Sequence, residues 1–404
     1  MDLFRAFVIA DALSMLRDRV RLETPAKERG LREVLHRTLD EDVFAPEDVP
    51  GFDRSTMDGY AVSARDTFGA SEGLPAYLEA AGEVLMGHFP PGRLEAGQAY
   101  RIATGGMLPE GADAVVMVEH TEDLDERTVG VTRPVAPGEN LVRRGDDLAR
   151  GALLLPRGHR LRPQDVGLLA AAGVSVVRTR ERVRVGIITT GDEVVPVDRA
   201  PGPGQVRDVN SYTLSGQVRE CGAEPVVYGI VRDDFDALAG VMRRALDETQ
   251  AVLISGGSSV GRRDVTVDVV ASLGAPGVLF HGLAVRPGKP TIGAALGEKL
   301  VVGLPGHPVS AMVVFALLVR PLLDPGYRAF PVRAAVTRSL TSPAGKEDYV
   351  RVRLERDDQG RLAADPIPGK SGLIATMVRA DGLARIPLES RGVAAGEEVE
   401  VLPF

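Results

Sequence analysis

Apolar positions in the middle third of the chain fall into short runs separated by amphipathic stretches. Val183-Arg184-Val185-Gly186-Ile187-Ile188, Pro225-Val226-Val227-Tyr228-Gly229-Ile230 and Ala251-Val252-Leu253-Ile254-Ser255 each read as a buried strand. Between the first two a helix is expected from Asn210 to Glu220, capped by Asn210 and ended by Gly222. Between the second and third, Asp233 or Asp234 caps a helix with Leu238, Met242, Ala245 and Leu246 on one face. Strand and helix in alternation predict a doubly wound α/β sheet with parallel pairing and right-handed crossovers. An apolar helix from Val309 to about Leu318 closes the unit.

The flanks follow other periods. Residues 3–20, 27–39 and 163–172 read as helices, the last started by Pro163. From about Pro50 to Asp147 the chain is rich in Gly and Pro with short Val-rich runs such as Ala114-Val115-Val116-Met117-Val118, which predicts an inserted β-rich arm. Beyond Pro321 and Pro325, Tyr349-Val350-Arg351-Val352-Arg353-Leu354 and Glu398-Val399-Glu400-Val401 alternate strictly, as in a small all-β domain. The expected layout is an α/β multidomain chain. It has an N-terminal region over 1–178 (helical segments at about 1–45 and 148–178, the arm at about 50–147), an α/β domain over 179–324 and a β domain over 328–404.

Composition narrows the function classes. With 404 residues, two to four domains are expected. A hydrophobic content of 44% and mean hydropathy of +0.01 suit an ordinary globular chain, with no apolar run of membrane-spanning length. The net charge of −8 argues against nucleic acid as a partner. The single cysteine, Cys221, excludes an internal disulfide and a thiolate metal cluster, and a reducing cytoplasm is the expected compartment. The start of the chain, with Asp2, Arg5 and Asp11, is amphipathic and unlike a secretory leader.

Two glycine-rich turns follow apolar strands. Ser255-Gly256-Gly257-Ser258-Ser259-Val260-Gly261 closes on Asp264, and Val302-Gly303-Leu304-Pro305-Gly306-His307-Pro308-Val309-Ser310 follows the last strand. Between them Arg286-Pro287-Gly288-Lys289-Pro290 carries two cations on a tight turn. Ligands on open α/β sheets bind at the carboxyl ends of the strands, and bare N–H groups there suit phosphate. Gly256, Gly257, Ser258, Gly261, Pro305 and Gly306 are therefore the candidate phosphate cradle. Asp264 and Asp233 serve either as helix caps or as holders of Mg²⁺ against a phosphate. Arg351 and Arg353 share one strand face, which alone reads as the wet side of a half-buried strand. Pro368-Gly369-Lys370-Ser371-Gly372 is too short for a Walker loop, the histidines lack metal-ligand spacing, and no Gly-x-Ser-x-Gly elbow occurs.

Further stretches complete an ordered series: Ser55-Thr56-Met57-Asp58-Gly59-Tyr60-Ala61, Arg101-Ile102-Ala103-Thr104-Gly105-Gly106, the run Pro109 to Glu119, Arg143-Arg144-Gly145-Asp146-Asp147 and Thr190-Gly191-Asp192-Glu193. Together with the glycine turns and Arg-Pro-Gly-Lys-Pro, the chain resembles the molybdopterin molybdotransferases of the MoeA and gephyrin E-domain type, nearly end to end. The resemblance implies a homodimer with a shared active site, a β-rich arm and a C-terminal β-barrel. It also implies insertion of molybdate into adenylylated molybdopterin with Mg²⁺ and release of AMP.

On this resemblance Arg286, Lys289, Ser310, Arg351 and Ser371 fall where molybdate is held, and Asp233 and Asp264 lie on the metal and phosphate side. Asp58, Thr104, Asp147 and Glu193 match polar cleft positions tied to activity, Asp58 and Thr104 arriving from the partner's arm; with Asp264, Lys289 and Arg351 they form the catalytic set. An adenylyltransferase and acceptor molybdoenzymes are further expected partners. Two departures stand out: Arg286 and His307 occupy positions where this family usually has Lys and Asn. The rivals are the ATP-dependent adenylylating step, performed by a related α/β domain, and a non-enzymatic scaffold of the gephyrin E-domain type.

Overall fold

The computed structural model describes residues 6–256, 265–357 and 359–404. It resolves into two compact units, one made of Met1–Pro25 with Arg180–Phe404 and the other of Ala26–Thr179.

In the first unit the apolar runs become a six-stranded sheet. Its strands are β1 (Arg184–Thr190), β2 (Glu224–Val231), β3 (Ala251–Ser255), β4 (Pro276–His281), β5 (Ile292–Leu296) and β6 (Lys299–Leu304), in the order β2-β1-β3-β6-β5-β4. The first four of that order are parallel, and β5 runs antiparallel to both its neighbours. Every residue of β3 is buried, as befits a central parallel strand covered on both faces.

The two-residue period of the strands sorts their side chains between two cores. Val185, Ile187, Leu253 and Val302 face helices Ile9–Arg19, Asn210–Glu220 and Pro308–Val314, through Leu16, Leu214 and Val309. Ile188, Val252, Ile254 and Val301 face Phe235–Glu248 and Val265–Leu273, through Leu238, Met242 and Val269. The fold class is thus the expected doubly wound α/β layer arrangement. The helix expected to end near Leu318 continues through a wider turn at Phe315–Val319 into Arg320–Leu323. Pro321, having no N–H, cannot close the ordinary bond to Leu317 there.

The same unit ends in a closed barrel. Strands Glu347–Arg356, Leu362–Pro366, Val332–Val336, Glu398–Pro403 and Gly382–Ile386 pair in a ring, closed by the first against the last. Val352, Ala364, Val336, Ala384 and Val401 fill it.

In the second unit, the Gly- and Pro-rich stretch forms a six-stranded sheet in the order 114–117, 59–62, 98–102, 76–84, 128–131, 121–125. Tyr60 and Val62 enter the core on one face and Ala61 the core on the other. Residues 27–39 are not the expected helix. Ala26–Gly30 is a strand paired with Val176–Arg180, and Leu31–Glu33 is a single 3-10 turn. Pairing with a strand distant in sequence overrides the local propensity, and Val34 and Leu39 pack beside Leu161 and Leu169.

Helix Pro163–Ala171 starts on a buried carboxylate. Asp165 accepts from the Arg162 backbone N–H at 2.8 Å, from Arg162 Nε at 2.9 Å and Nη2 at 3.0 Å, and pairs with His159 Nε2 at 2.8 Å. The Arg162 guanidinium first, and His159 after it, hold this carboxyl well below its ordinary 3.8 against the cost of burial. A depressed carboxylate stabilises fully above that ordinary value, and the contribution is lost as pH falls toward the folded-state value. Asp165→Asn is therefore expected to cost about 3 kcal/mol at pH 7. Denaturant unfolding at pH 7 and pH 3 checks this: the gap to the unaltered protein should narrow in acid.

Candidate functional site

Three strand ends of the α/β sheet meet at one rim. β1 runs into Thr190-Gly191-Asp192-Glu193, β3 into Ser255-Gly256, and β6 into Leu304-Pro305-Gly306-His307. Gly256 has φ +111°, and a Cβ there would lie 2.1 Å from the Thr190 carbonyl oxygen. Only glycine lets this turn pass so close to the end of β1. A Cβ on Gly306 would lie 3.6 Å from the Gly256 Cα, so the two glycine turns stand side by side. Gly257, Ser258, Gly261 and Asp264 lie outside the described residues.

Asn210 joins these turns from the start of helix Asn210–Glu220. Its side chain is buried, and Nδ2 donates to Ser255 Oγ at 2.5 Å and to the Gly306 carbonyl at 2.8 Å. A carbonyl only accepts, so the amide nitrogen must face Gly306; Oδ1 is buried with no partner among the described residues. Sequence reasoning took Asn210 for a helix cap. That task falls to Asp208, whose carboxylate accepts from the Ser211 backbone N–H at 3.0 Å and from Thr189 Oγ1 at 3.2 Å.

The rim is acidic on one side. Of the two candidate caps, Asp234 takes the role, accepting from the Ala237 N–H at 2.9 Å. Asp233 is left at the end of β2. Burial, and then the charges of Asp192 and Glu193, raise its pKa, with the Thr190 hydroxyl opposing in part. Among the described residues, no group of three or more His, Cys, Asp or Glu is arranged to hold a metal.

The expected oxyanion donors lie on elements that touch one another. Ser310 is buried in the first turn of helix Pro308–Val314. Ser371 docks on that turn: its carbonyl accepts from the Val309 N–H at 3.1 Å, and its Oγ lies 3.0 Å from His307 Nδ1. Arg351 holds the other end of the same loop, donating from Nη2 to the Gly369 carbonyl at 2.6 Å and from Nη1 to Thr376 Oγ1 at 3.0 Å. Its Nε is buried with no partner among the described residues, and burial lowers the guanidinium's pKa, opposed by the charge of Asp348.

The Arg286–Pro290 turn packs on the same helix. A Cβ on Gly288 would lie 2.4 Å from Val314 Cγ2. Lys289 is exposed, and its ammonium makes no hydrogen bond or ion pair among the described residues. Arg286 differs: its guanidinium bonds the Thr341 carbonyl and the buried carboxylate of Asp348.

Asp58, Thr104 and Asp147 belong to the second unit. Asp58 Oδ1 accepts from the Thr104 N–H at 2.7 Å and from its Oγ1 at 2.8 Å, and these bonds, the backbone one foremost, hold the Asp58 carboxyl below its ordinary range. Gly59 follows because a Cβ there would collide with the Val116 carbonyl oxygen at 1.9 Å. Asp147 is exposed, and its N–H donates to the Val49 carbonyl at 3.0 Å.

Three family models match along the chain. They are the MoeA N-terminal region (domain I and II) at residues 8–173, the probable molybdopterin binding domain at 186–325, and the MoeA C-terminal region (domain IV) at 333–404. The chain is 35% identical to the molybdopterin molybdenumtransferase of Bacillus subtilis, over 92% of this chain and 88% of that protein. It is 37% identical to molybdopterin molybdenumtransferase 2 of Mycobacterium tuberculosis, over 89% and 90%. The crystal structure of the molybdopterin biosynthesis MoeA protein from Pyrococcus horikoshii superposes with a TM-score of 0.85 at 30% identity, covering 99% of this chain and 100% of that one.

Proposed function

Because this chain belongs to the MoeA family and is thus a transferase of molybdenum-cofactor biosynthesis, we propose that it inserts molybdate into adenylylated molybdopterin and releases AMP. The observation that carries this reading is the continuity of the segment 304–310. At one end it forms a glycine turn braced to its twin by Asn210; at the other it receives Ser371 and, through the same loop, Arg351. The Gly306 turn and the docking point of the Ser371 loop share this short piece of backbone, which supports a phosphate cradle beside cationic and hydroxyl donors.

The chemistry follows from these placements. The glycine turns stand at the carboxyl ends of adjacent parallel strands, where open α/β sheets receive ligands, and this placement suits a pyrophosphate. Lys289 and Arg351 supply positive charge for a tetrahedral dianion, with the Ser310 and Ser371 hydroxyls completing the donor set. Asp233 suits a magnesium ion, since burial and two neighbouring carboxylates disfavour its charge and a cation would restore it. Magnesium, when bound, shields the pyrophosphate charge. Asp264, named with Asp233 for the same role by the sequence, stays a candidate, and Glu193 is kept for the catalytic set. A homodimer in which Asp58 and Thr104 serve the partner's reaction, a cytoplasmic location, and exchange with an adenylyltransferase and acceptor molybdoenzymes complete the proposal.

The adenylylating rival needs ATP, and the family matches extend well beyond the domain that such chemistry requires. Incubation with ATP and unadenylylated molybdopterin is expected to consume no ATP, whereas adenylylated molybdopterin with molybdate yields AMP; the reverse pattern would replace this reading. Within it, Asn210→Ala is expected to raise KM for adenylylated molybdopterin about tenfold, a loss of about 1.4 kcal/mol. Asn210→Asp should not rescue it, since a carboxylate cannot donate to the Gly306 carbonyl. Steady-state AMP release checks both variants.

A further inference from the structure

The family resemblance makes Arg286 an oxyanion donor, yet one arm of its guanidinium, Nη2, is already engaged within the protein. Residues Val285 and Arg286 pair in parallel with Glu347 and Asp348, and the Glu347 N–H donates to the Ala284 carbonyl at 2.8 Å. From that short strand, Arg286 Nη2 reaches the Thr341 carbonyl at 3.2 Å and the carboxylate of Asp348. The Asp348 side chain is only 4% exposed; among the described residues Arg286 makes its one ion pair, and its charge also acts on Arg351. Pulling Arg286 onto an anion would strand a buried carboxylate, which costs far more than an exposed ion pair does. Lys289, three residues on in the same turn, has an ammonium with no partner among the described residues.

We propose that Arg286 and Asp348 form a neutral strap that positions the Pro287–Lys289 turn against the barrel, and that the oxyanion is held by Lys289, Arg351, Ser310 and Ser371 without Arg286. This rests on the transferase reading and refines it. Arg286 is a positioning residue, and its positive charge as such is dispensable. In ligand terms the Arg at this position is no substitute for a Lys ligand, because its Nη2 is tied to the Asp348 carboxylate and the Thr341 carbonyl.

The test is calorimetric binding of molybdate to the full-length protein and two variants, with Tm measured alongside. Arg286→Gln leaves the buried Asp348 without its ion pair and is expected to weaken binding about tenfold and lower Tm. Adding Asp348→Asn replaces the ion pair by a neutral amide pair that still bridges the two strands. This double variant should recover Tm and bind within about threefold of the unaltered protein. A double variant that regains Tm but stays as weak as Arg286→Gln would overturn the strap, as would an Arg286→Gln protein that binds normally. Should the variants not fold, a molybdate-soaked crystal of the unaltered protein decides. The strap requires Arg286 still on Asp348 with no nitrogen within hydrogen-bond reach of the anion; a guanidinium turned onto the anion refutes it. Absence of any molybdate binding by the unaltered protein would remove the transferase reading itself, and this refinement with it.

Discussion

Lys289→Ala is expected to lower molybdate-dependent AMP release about a thousandfold while leaving Tm within about 2 °C. The two halves of this expectation come from different observations. The turn is held by backbone: the Lys289 carbonyl accepts from the Leu283 and Thr291 N–H groups, each at 2.9 Å, and Thr291 Oγ1 donates to the Gly288 carbonyl at 2.7 Å. None of these bonds involves the lysine side chain. The ammonium has no structural partner among the described residues, so its removal withdraws charge from the oxyanion and little else. Lys289→Arg keeps the charge and should recover part of the rate. Rates at saturating molybdate with parallel thermal melts measure both halves; a normal rate in Lys289→Ala would contradict the assignment.

Arg351→Lys is expected to behave oppositely, losing about a hundredfold in rate and about 2 kcal/mol in stability although the charge is conserved. Arg351 bonds the Gly369 carbonyl and the Thr376 hydroxyl at once, with its Nε buried. One ammonium cannot span two acceptors set for a planar fork, and burying it leaves donors unmatched. The loop that carries Ser371 then loses its Gly369 mooring and keeps the bonds of Ser371 to the Val309 N–H and to His307. Rate and denaturant stability measured together check this. A conservative change that is harmless in both would show that the loop is positioned by other contacts.

Much of this arrangement is legible in the sequence because it is local. The strands at 184–190, 224–231 and 251–255 stand where unbroken apolar runs place them, and each is followed by the turn residues that parallel strands require at their carboxyl ends. The inward Val350, Val352 and Leu354 and outward Arg353 of the barrel strand are likewise readable from a period of two. What local pattern does not carry is pairing across the chain. Ala26–Gly30 is a strand only because residues 176–180 are available to pair with it. Asn210 looks like a cap until Ser255 and Gly306 are brought to it. Arg286 looks like a free cation because its partner is 62 residues away; a period of two places Asp348 on the inward side with Val350 and Val352, but no local window pairs it with Arg286. The first helix, Ile9–Arg19, packs on a sheet that begins at Arg184, a placement no local window contains.

The central claim is that the glycine cradle and the oxyanion donors act on one substrate as a single site. Its most direct test is AMP release from adenylylated molybdopterin as molybdate is titrated in with magnesium present. A saturable, molybdate-dependent release that disappears in Lys289→Ala and survives in Arg286→Gln/Asp348→Asn is the expected result. AMP release that is absent, or that proceeds at the same rate with no molybdate added, would contradict it.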